Sequence, residues 1–223
     1  TIWLISSVTV LLFFKSFLDL SCMDGFSSFN SVKVAEYLFQ KNQFKQIVLF
    51  FTMNNDFRDN IFQYKYKNNL ESKIILIIKN NSFLNKLFEL RFLFKKNLTK
   101  EMPLKISEIN KPYYSINYLK LLINDKKFVL EAKNQSFVAL KKLKQFSIKN
   151  NVELTVIGIP NASEIYKDIN KIHNLKRDLN YEGLQISDIN KNIDFENPKK
   201  IFFLVCKKAN IKCLYLPLNK NSF

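Results

Sequence analysis

Glycine and proline are scarce in this chain of 223 residues, at 3 and 5 respectively. That scarcity excludes collagen-like repeats, Gly-rich disordered arrays and a Gly-rich phosphate-binding loop. Cysteine is sparse too: Cys22, Cys206 and Cys213 form an odd set without C-x-x-C spacing. Neither a disulfide framework nor a zinc site follows from them. Cys206 falls in an apolar helical stretch and Cys213 in the strand after it, so buried free thiols are expected. A Cys206–Cys213 bridge is chemically open, but their spacing alone does not require it. No cluster of metal-ligating residues stands out, and no cofactor or metal is expected.

Phenylalanine, lysine, asparagine and isoleucine are abundant instead. The 35 Lys and Arg outweigh the 19 Asp and Glu, for a formal net charge of +16. Such a balance invites a polyanion or membrane-surface reading. The lysines, however, are spread along the whole chain beside asparagines and form no basic tract. The codon preferences of an AT-rich genome explain that spread, and nucleic acid is not the expected partner.

The length fits a single domain, 1–223, and a hydrophobic content of 47% is enough for a core. The first residue is Thr1, and Ile2–Phe14 is largely apolar until Lys15. That stretch is short of the roughly 20 residues that span a bilayer, and no basic segment precedes it. It reads as a core element of a chain whose beginning is missing, with a membrane anchor or signal remnant as the alternative. The compartment stays open between bacterial cytoplasm, periplasm and membrane.

Along the chain, Val32, Ala35, Leu38 and Phe39 recur at helical spacing after Asn30 and Ser31, either of which can cap a helix. Ile47–Met53 has strand length. Lys73–Lys79 is a further apolar run, and Phe83, Leu84, Leu87, Phe88 and Phe92 form a helical face after Ser82. The stretch 98–134 is the least regular and reads as an insertion over one end of the sheet, with Leu119–Ile123 either strand or helix. Phe137, Leu140, Leu143 and Phe146 lie on one helix face, with a stop at Asn150 and Asn151. Val152–Ile159 is a strand. Asn161 and Glu164 fit a capping box. Asn197-Pro198 opens another helix as cap and first residue, and Asn210 ends it in the left-handed conformation. Cys213–Leu216 is the last strand. Helix and strand alternating through short links predicts a parallel sheet covered on both faces, a three-layer α/β/α sandwich.

One stretch points at chemistry. Ile47–Met53 breaks into Asn54, Asn55, Asp56, Asp59 and Asn60, and the carboxyl end of a strand in an open α/β sheet is where ligands bind. The amide of Asn55 can donate to an oxyanion; Asp56 can instead cap the next helix without any catalytic role.

The run Val48–Asn60 resembles the third conserved block of the SGNH (GDSL-type) hydrolases, in which an apolar strand enters Gly-x-Asn-Asp. Asp19–Gly25 resembles the second block, Thr155–Pro160 with Glu164–Tyr166 a stretch found in a branch related to sugar O-acetyltransferases, and Asn210–Pro217 the strand before the last block. The resemblance implies a flavodoxin-like three-layer fold incomplete at both ends. It implies an oxyanion hole made by Asn55 and the backbone N–H of Gly25, and an ester-bearing small molecule or glycan as substrate.

The departures are specific. Asn54 stands where the family has glycine, Asp19 where it has asparagine, and Ser21 where the second block has its first glycine. No Gly-Asp-Ser precedes Gly25 at the needed distance: Ser16 is too close, and Ser6 and Ser7 sit in an apolar run. No Asp-x-x-His follows the last strand, and His173 lies well upstream as a surface or helix-end residue. A serine hydrolase needs nucleophile, base and oxyanion donors. Only the donors are here, so the expectation is the central part of an esterase or O-acyltransferase, inactive alone. The alternatives are a non-catalytic binding module on the same fold and a basic nucleic-acid or membrane-surface protein.

Overall fold

The computed structural model describes residues 2–6, 9–14, 17–22, 27–68, 106, 113–189 and 192–218; for 2–22, 42, 64–68 and 188 only the backbone is described. Lys73–Lys79, the 82–92 helical face and Gly25 lie outside the described residues.

Three strands come first: β1 (Ile2–Ser6), β2 (Thr9–Phe14) and β3 (Phe17–Cys22). Then follow α1 (Ser28–Asn42), β4 (Gln46–Thr52), α2 (Asp56–Asn68), α3 (Tyr114–Leu122) and α4 (Lys126–Lys149). The chain continues through β5 (Glu153–Ile159), α5 (Ala162–Tyr166), α6 (Leu175–Tyr181), α7 (Asn197–Ala209) and β6 (Lys212–Tyr215). The protein is a mixed α/β structure.

The six strands form one sheet in the order β3-β2-β1-β4-β5-β6. β1, β4, β5 and β6 run parallel, while β2 and β3 add an antiparallel meander on the β1 side. Sequence periodicity did not anticipate this meander: Ile2–Phe14 holds two strands, and Asp19–Cys22 lies in a third.

Each step from β1 to β4 to β5 to β6 moves the same way across the sheet, so right-handed crossovers put the connecting helices on one face. The helix packing agrees: α4 lies against α1, α2 and α7. The strand residues that face this layer are Ile47, Leu49 and Phe51 of β4, paired in register with Leu154, Val156 and Gly158 of β5. All but Gly158 belong to one buried hydrophobic cluster with Phe57, Leu140, Leu143 and Phe202. Phe51 sits 4.9 Å from Phe57 and 5.5 Å from Phe202 between ring centroids. Each fully buried aliphatic or Phe side chain contributes about 1.5–3 kcal/mol.

Several expected elements extend or shift. α4 begins at Lys126, not near Ser136, because Phe128, Val129 and Ala132 continue the buried stripe of Ser136, Leu140 and Leu143. Asp125 caps it, accepting the Phe128 N–H at 2.8 Å. The first part of α4 therefore lies inside the 98–134 stretch, and Leu119–Leu122 is helical. Asn197 is the first residue of α7 rather than its cap, and its Nδ2 donates to the Leu121 carbonyl at the end of α3.

Asparagine takes over the work of the missing glycines. Asn124, Asn151, Asn174 and Asn210 all adopt positive φ, a region asparagine tolerates better than other side chains. Asn210, at φ 52 and ψ 53, ends α7 as its sequence position predicts.

The two C-terminal cysteines are not free thiols. Cys206 and Cys213 form a disulfide across a Cα separation of 6.2 Å. The turn at Asn210 folds β6 back along α7, and this brings together two residues whose separation in sequence says nothing about pairing.

Candidate functional site at the carboxyl ends of the parallel strands

β4 ends at Thr52, and Met53, Asn54 and Asn55 turn the chain into α2. The turn is closed from both sides. The Met53 N–H donates to the Ile159 carbonyl at the end of β5 (3.1 Å), and the Asn55 N–H to the Thr52 carbonyl (3.2 Å). The Asp56 carboxylate then folds back, its Oδ2 accepting from the Thr52 N–H at 2.6 Å and from the Thr52 hydroxyl at 3.0 Å. Asp56 is wholly buried.

Asn55 thus has a fixed backbone, and its carbonyl accepts the Asp59 N–H at 2.8 Å. Its half-exposed side-chain amide has no hydrogen bond among the described residues. Asn54, where glycine was expected, does not have positive φ, so its backbone accommodates a side chain; its Oδ1 is buried without a partner.

The remaining polar residues of this block grip α1. Asn60 Oδ1 accepts the Ser28 backbone N–H at 3.0 Å, and Asn60 Nδ2 donates to the hydroxyls of Ser28 (3.3 Å) and Ser136 (3.1 Å). The Ser28 hydroxyl donates to Asp56 Oδ1 at 3.3 Å. One turn on, Gln63 donates to Asn30 at 2.6 Å and accepts from the Ser27 hydroxyl. Gly25 lies outside the described residues, and the chain resumes beyond it at Ser27 in this clasp. β3, the strand upstream of Gly25, is not a neighbour of β4; β2 and β1 stand between them. The strand that leads toward Gly25 therefore does not lie beside the strand that leads into Asn55.

Arg58 projects the other way, toward α3. It pairs with Asp59 at 2.7 Å, its guanidinium lies 3.5 Å from the Tyr114 ring centroid, and its Nε is buried without a partner.

A second cluster lies beyond β5. Asn161 and Glu164 form the expected capping box. Glu164 does more than that. Its Oε1 accepts from the Asn161 N–H (2.8 Å) and the Tyr118 hydroxyl (2.6 Å), and its Oε2 from the Tyr215 hydroxyl (2.5 Å). One buried carboxylate thereby joins α3, the β5–α5 corner and β6. Burial pushes the Glu164 carboxyl above its ordinary range even though three donors favour its charge. Burial and the Glu164 charge hold both phenols well above theirs.

Beside Glu164 lies a cleft of about 280 Å³ whose walls include Pro160, Lys167, Glu196, Lys199, Tyr215 and Pro217. Lys167 pairs with Glu196 across it, which holds the Glu196 carboxyl below its usual range, and the Lys199 ammonium lies 5.1 Å from the Tyr215 ring centroid.

The capping pattern flagged Glu164 in the sequence, but nothing there indicated Tyr118 or Tyr215 as partners, since α3 reads as irregular. His173 is exposed in the turn before α6. Among the described residues no group of His, Cys, Asp and Glu is arranged to hold a metal, and no helix is long and apolar enough to cross a membrane. No protein-family model matches the sequence, and comparison with curated proteins and with solved structures returns no match.

Proposed function

We propose that the chain is part of an SGNH-type ester hydrolase or O-acyltransferase domain in which the Asn55 amide stabilises the oxyanion of an acyl-transfer intermediate. The observation that carries this reading is the contrast within one block. Asp56 and Asn60 are buried and fully engaged in holding the β4–α2 turn to α1, whereas the Asn55 amide, on a fixed backbone at the carboxyl end of a central parallel strand, makes no hydrogen bond among the described residues. A preorganised donor of this kind has no reorganisation to make when charge develops, and removing one typically costs about 10²–10³ in rate. Gly25 is the proposed second donor, and the clasp at Ser27–Ser28 supports it by tying the segment after Gly25 to the Asn55 turn. The proposal also includes a flavodoxin-like third layer, which would cover the sheet face opposite α1, α2, α4 and α7, and an ester-bearing small molecule or glycan as substrate.

The sequence holds no Gly-Asp-Ser and no Asp-x-x-His, so the chain by itself has no nucleophile–base pair. That observation favours a second reading, a non-catalytic binding module that keeps the fold. Titration of ¹⁵N-labelled protein with acetate, a mimic of the acyl oxyanion, tests the shared claim. A saturable shift of the Asn55 side-chain amide, absent in Asn55→Ala, is expected; an unperturbed amide overturns the oxyanion role. Hydrolysis of nitrophenyl acetate should not exceed the buffer rate, and appreciable turnover would overturn the absence of a nucleophile.

A further inference from the structure

Among the described residues β6 is the outer strand of the sheet, four residues long, and pairs with β5 alone. Three further ties hold it. The Leu216 N–H donates to the Gly158 carbonyl at 3.0 Å, the Tyr215 hydroxyl donates to Glu164, and the Cys206–Cys213 disulfide joins the strand to α7. Cys206 is almost fully buried, whereas Cys213 is half-buried on the edge strand and is the more accessible end of the bond. Lys207 follows Cys206 and Lys212 precedes Cys213 in sequence. Neighbouring cations favour thiolates, and thiolates carry thiol–disulfide exchange.

We infer that the Cys206–Cys213 bond is a redox latch on the last strand. In the oxidised form it fastens β6 to α7 and so holds Tyr215 on Glu164 as one wall of the cleft. A dithiol reductant opens it by attack of its thiolate on Cys213 Sγ. This forms a mixed disulfide and releases Cys206 as a thiol; the second thiol of the reductant then displaces Cys213. The pair gains two electrons and two protons, and the reductant leaves as its own disulfide. Reduced, β6 keeps its short ladder, the Leu216–Gly158 bond and the contacts of Tyr215 with Glu164, Phe202 and Phe203, but loses its covalent tie to α7. Opening of the strand then unmakes the cleft wall, while β4 and β5 stay buried in the sheet. The latch does not depend on the role of Asn55.

Hydrogen–deuterium exchange on the full chain, purified without reductant and then compared before and after dithiothreitol, tests the inference. Alkylation and peptide mapping of Cys206 and Cys213 verify the redox state of each sample. The expected result is an acceleration of at least tenfold at the amides of 212–216 on reduction, with those of β4 and β5 unchanged. The double variant C206S/C213S should show the fast pattern with or without reductant. Unchanged exchange at 212–216 in protein shown to carry two free thiols overturns the latch. So does loss of protection across the whole sheet, which would make the bond a general staple. Two free thiols in protein already treated with oxidised glutathione overturn it as well. Reduced wild-type chain supplies the answer even where the double variant fails to fold.

Discussion

Asn60 Oδ1 accepts the backbone N–H of Ser28 at 3.0 Å, across 32 residues of sequence, and both residues are wholly buried. This bond ties the start of α1 to the helix that follows the Asn55 turn. It separates two asparagines of one block into different jobs: Asn60 holds, and Asn55 is held.

That separation predicts opposite responses to the same substitution. Asn60→Ala leaves the Ser28 N–H and the Ser136 hydroxyl buried without their partner, and should cost about 2–4 kcal/mol in urea unfolding. Asn55→Ala removes a side chain with no hydrogen bond among the described residues and should change stability by no more than about 0.5 kcal/mol. Equal losses in the two variants would contradict the division.

Gly158 is required by packing, not by φ. A Cβ there would lie 2.7 Å from Met53 Cε, 2.9 Å from Phe202 Cε1 and 2.9 Å from Tyr215 Cδ2. Gly158→Ala should therefore destabilise by about 1–3 kcal/mol through overpacking. It should also loosen Tyr215 from Glu164, which a change in tyrosine near-ultraviolet circular dichroism would report.

Glu164 has its folded-state carboxyl raised by burial, from an ordinary value of 4.5. The folded state thus binds a proton more tightly than the unfolded chain does. The stabilising effect of that proton is complete below about pH 4.5 and is lost as pH rises through the raised value. Glu164→Gln should remove this component, because Oε1 can still accept from Tyr118 and Asn161 while Nε2 donates to the Tyr215 oxygen. Urea midpoints measured from pH 4 to pH 8 should then flatten in the variant; an unchanged slope would contradict the assignment.

Asp194 and Glu196 behave in the opposite sense. The hydrogen bond to Lys200 lowers the Asp194 carboxyl, and that to Lys167 lowers Glu196. Their contribution is present above the ordinary carboxylate range and disappears as pH falls through the lowered values. Both pairs are exposed and screened by salt, so Lys200→Ala should shift the acid unfolding midpoint only slightly, and less still in high salt.

The α/β class was legible in the sequence because it rests on local signals. The apolar run of β4, the stripe of α4, the capping box at Asn161 and Glu164 and the left-handed stop at Asn210 each need only a few neighbouring residues. The antiparallel β2–β3 meander was not legible, since one apolar stretch can be a single element or two. Asn55 was visible as a polar residue at a strand end. The contacts that fix its turn were not, because they join Ser28, Asp56, Asn60 and Ser136 from separate elements.

By itself the sequence determined most of the helices, the strands β4, β5 and β6, and the absence of a serine–histidine pair in a family-like context, since these follow from residue type and spacing. Only the tertiary structure decided that Glu164 would serve two tyrosines from distant elements. It also decided that Cys206 and Cys213 would bond, and that the Asn55 amide, on a fixed turn, would have no hydrogen bond among the described residues. The physical reason is the same in each case. Which groups meet in space, and which are left without a partner, depends on the elements that the sheet and its crossovers bring together, and local spacing does not carry that information.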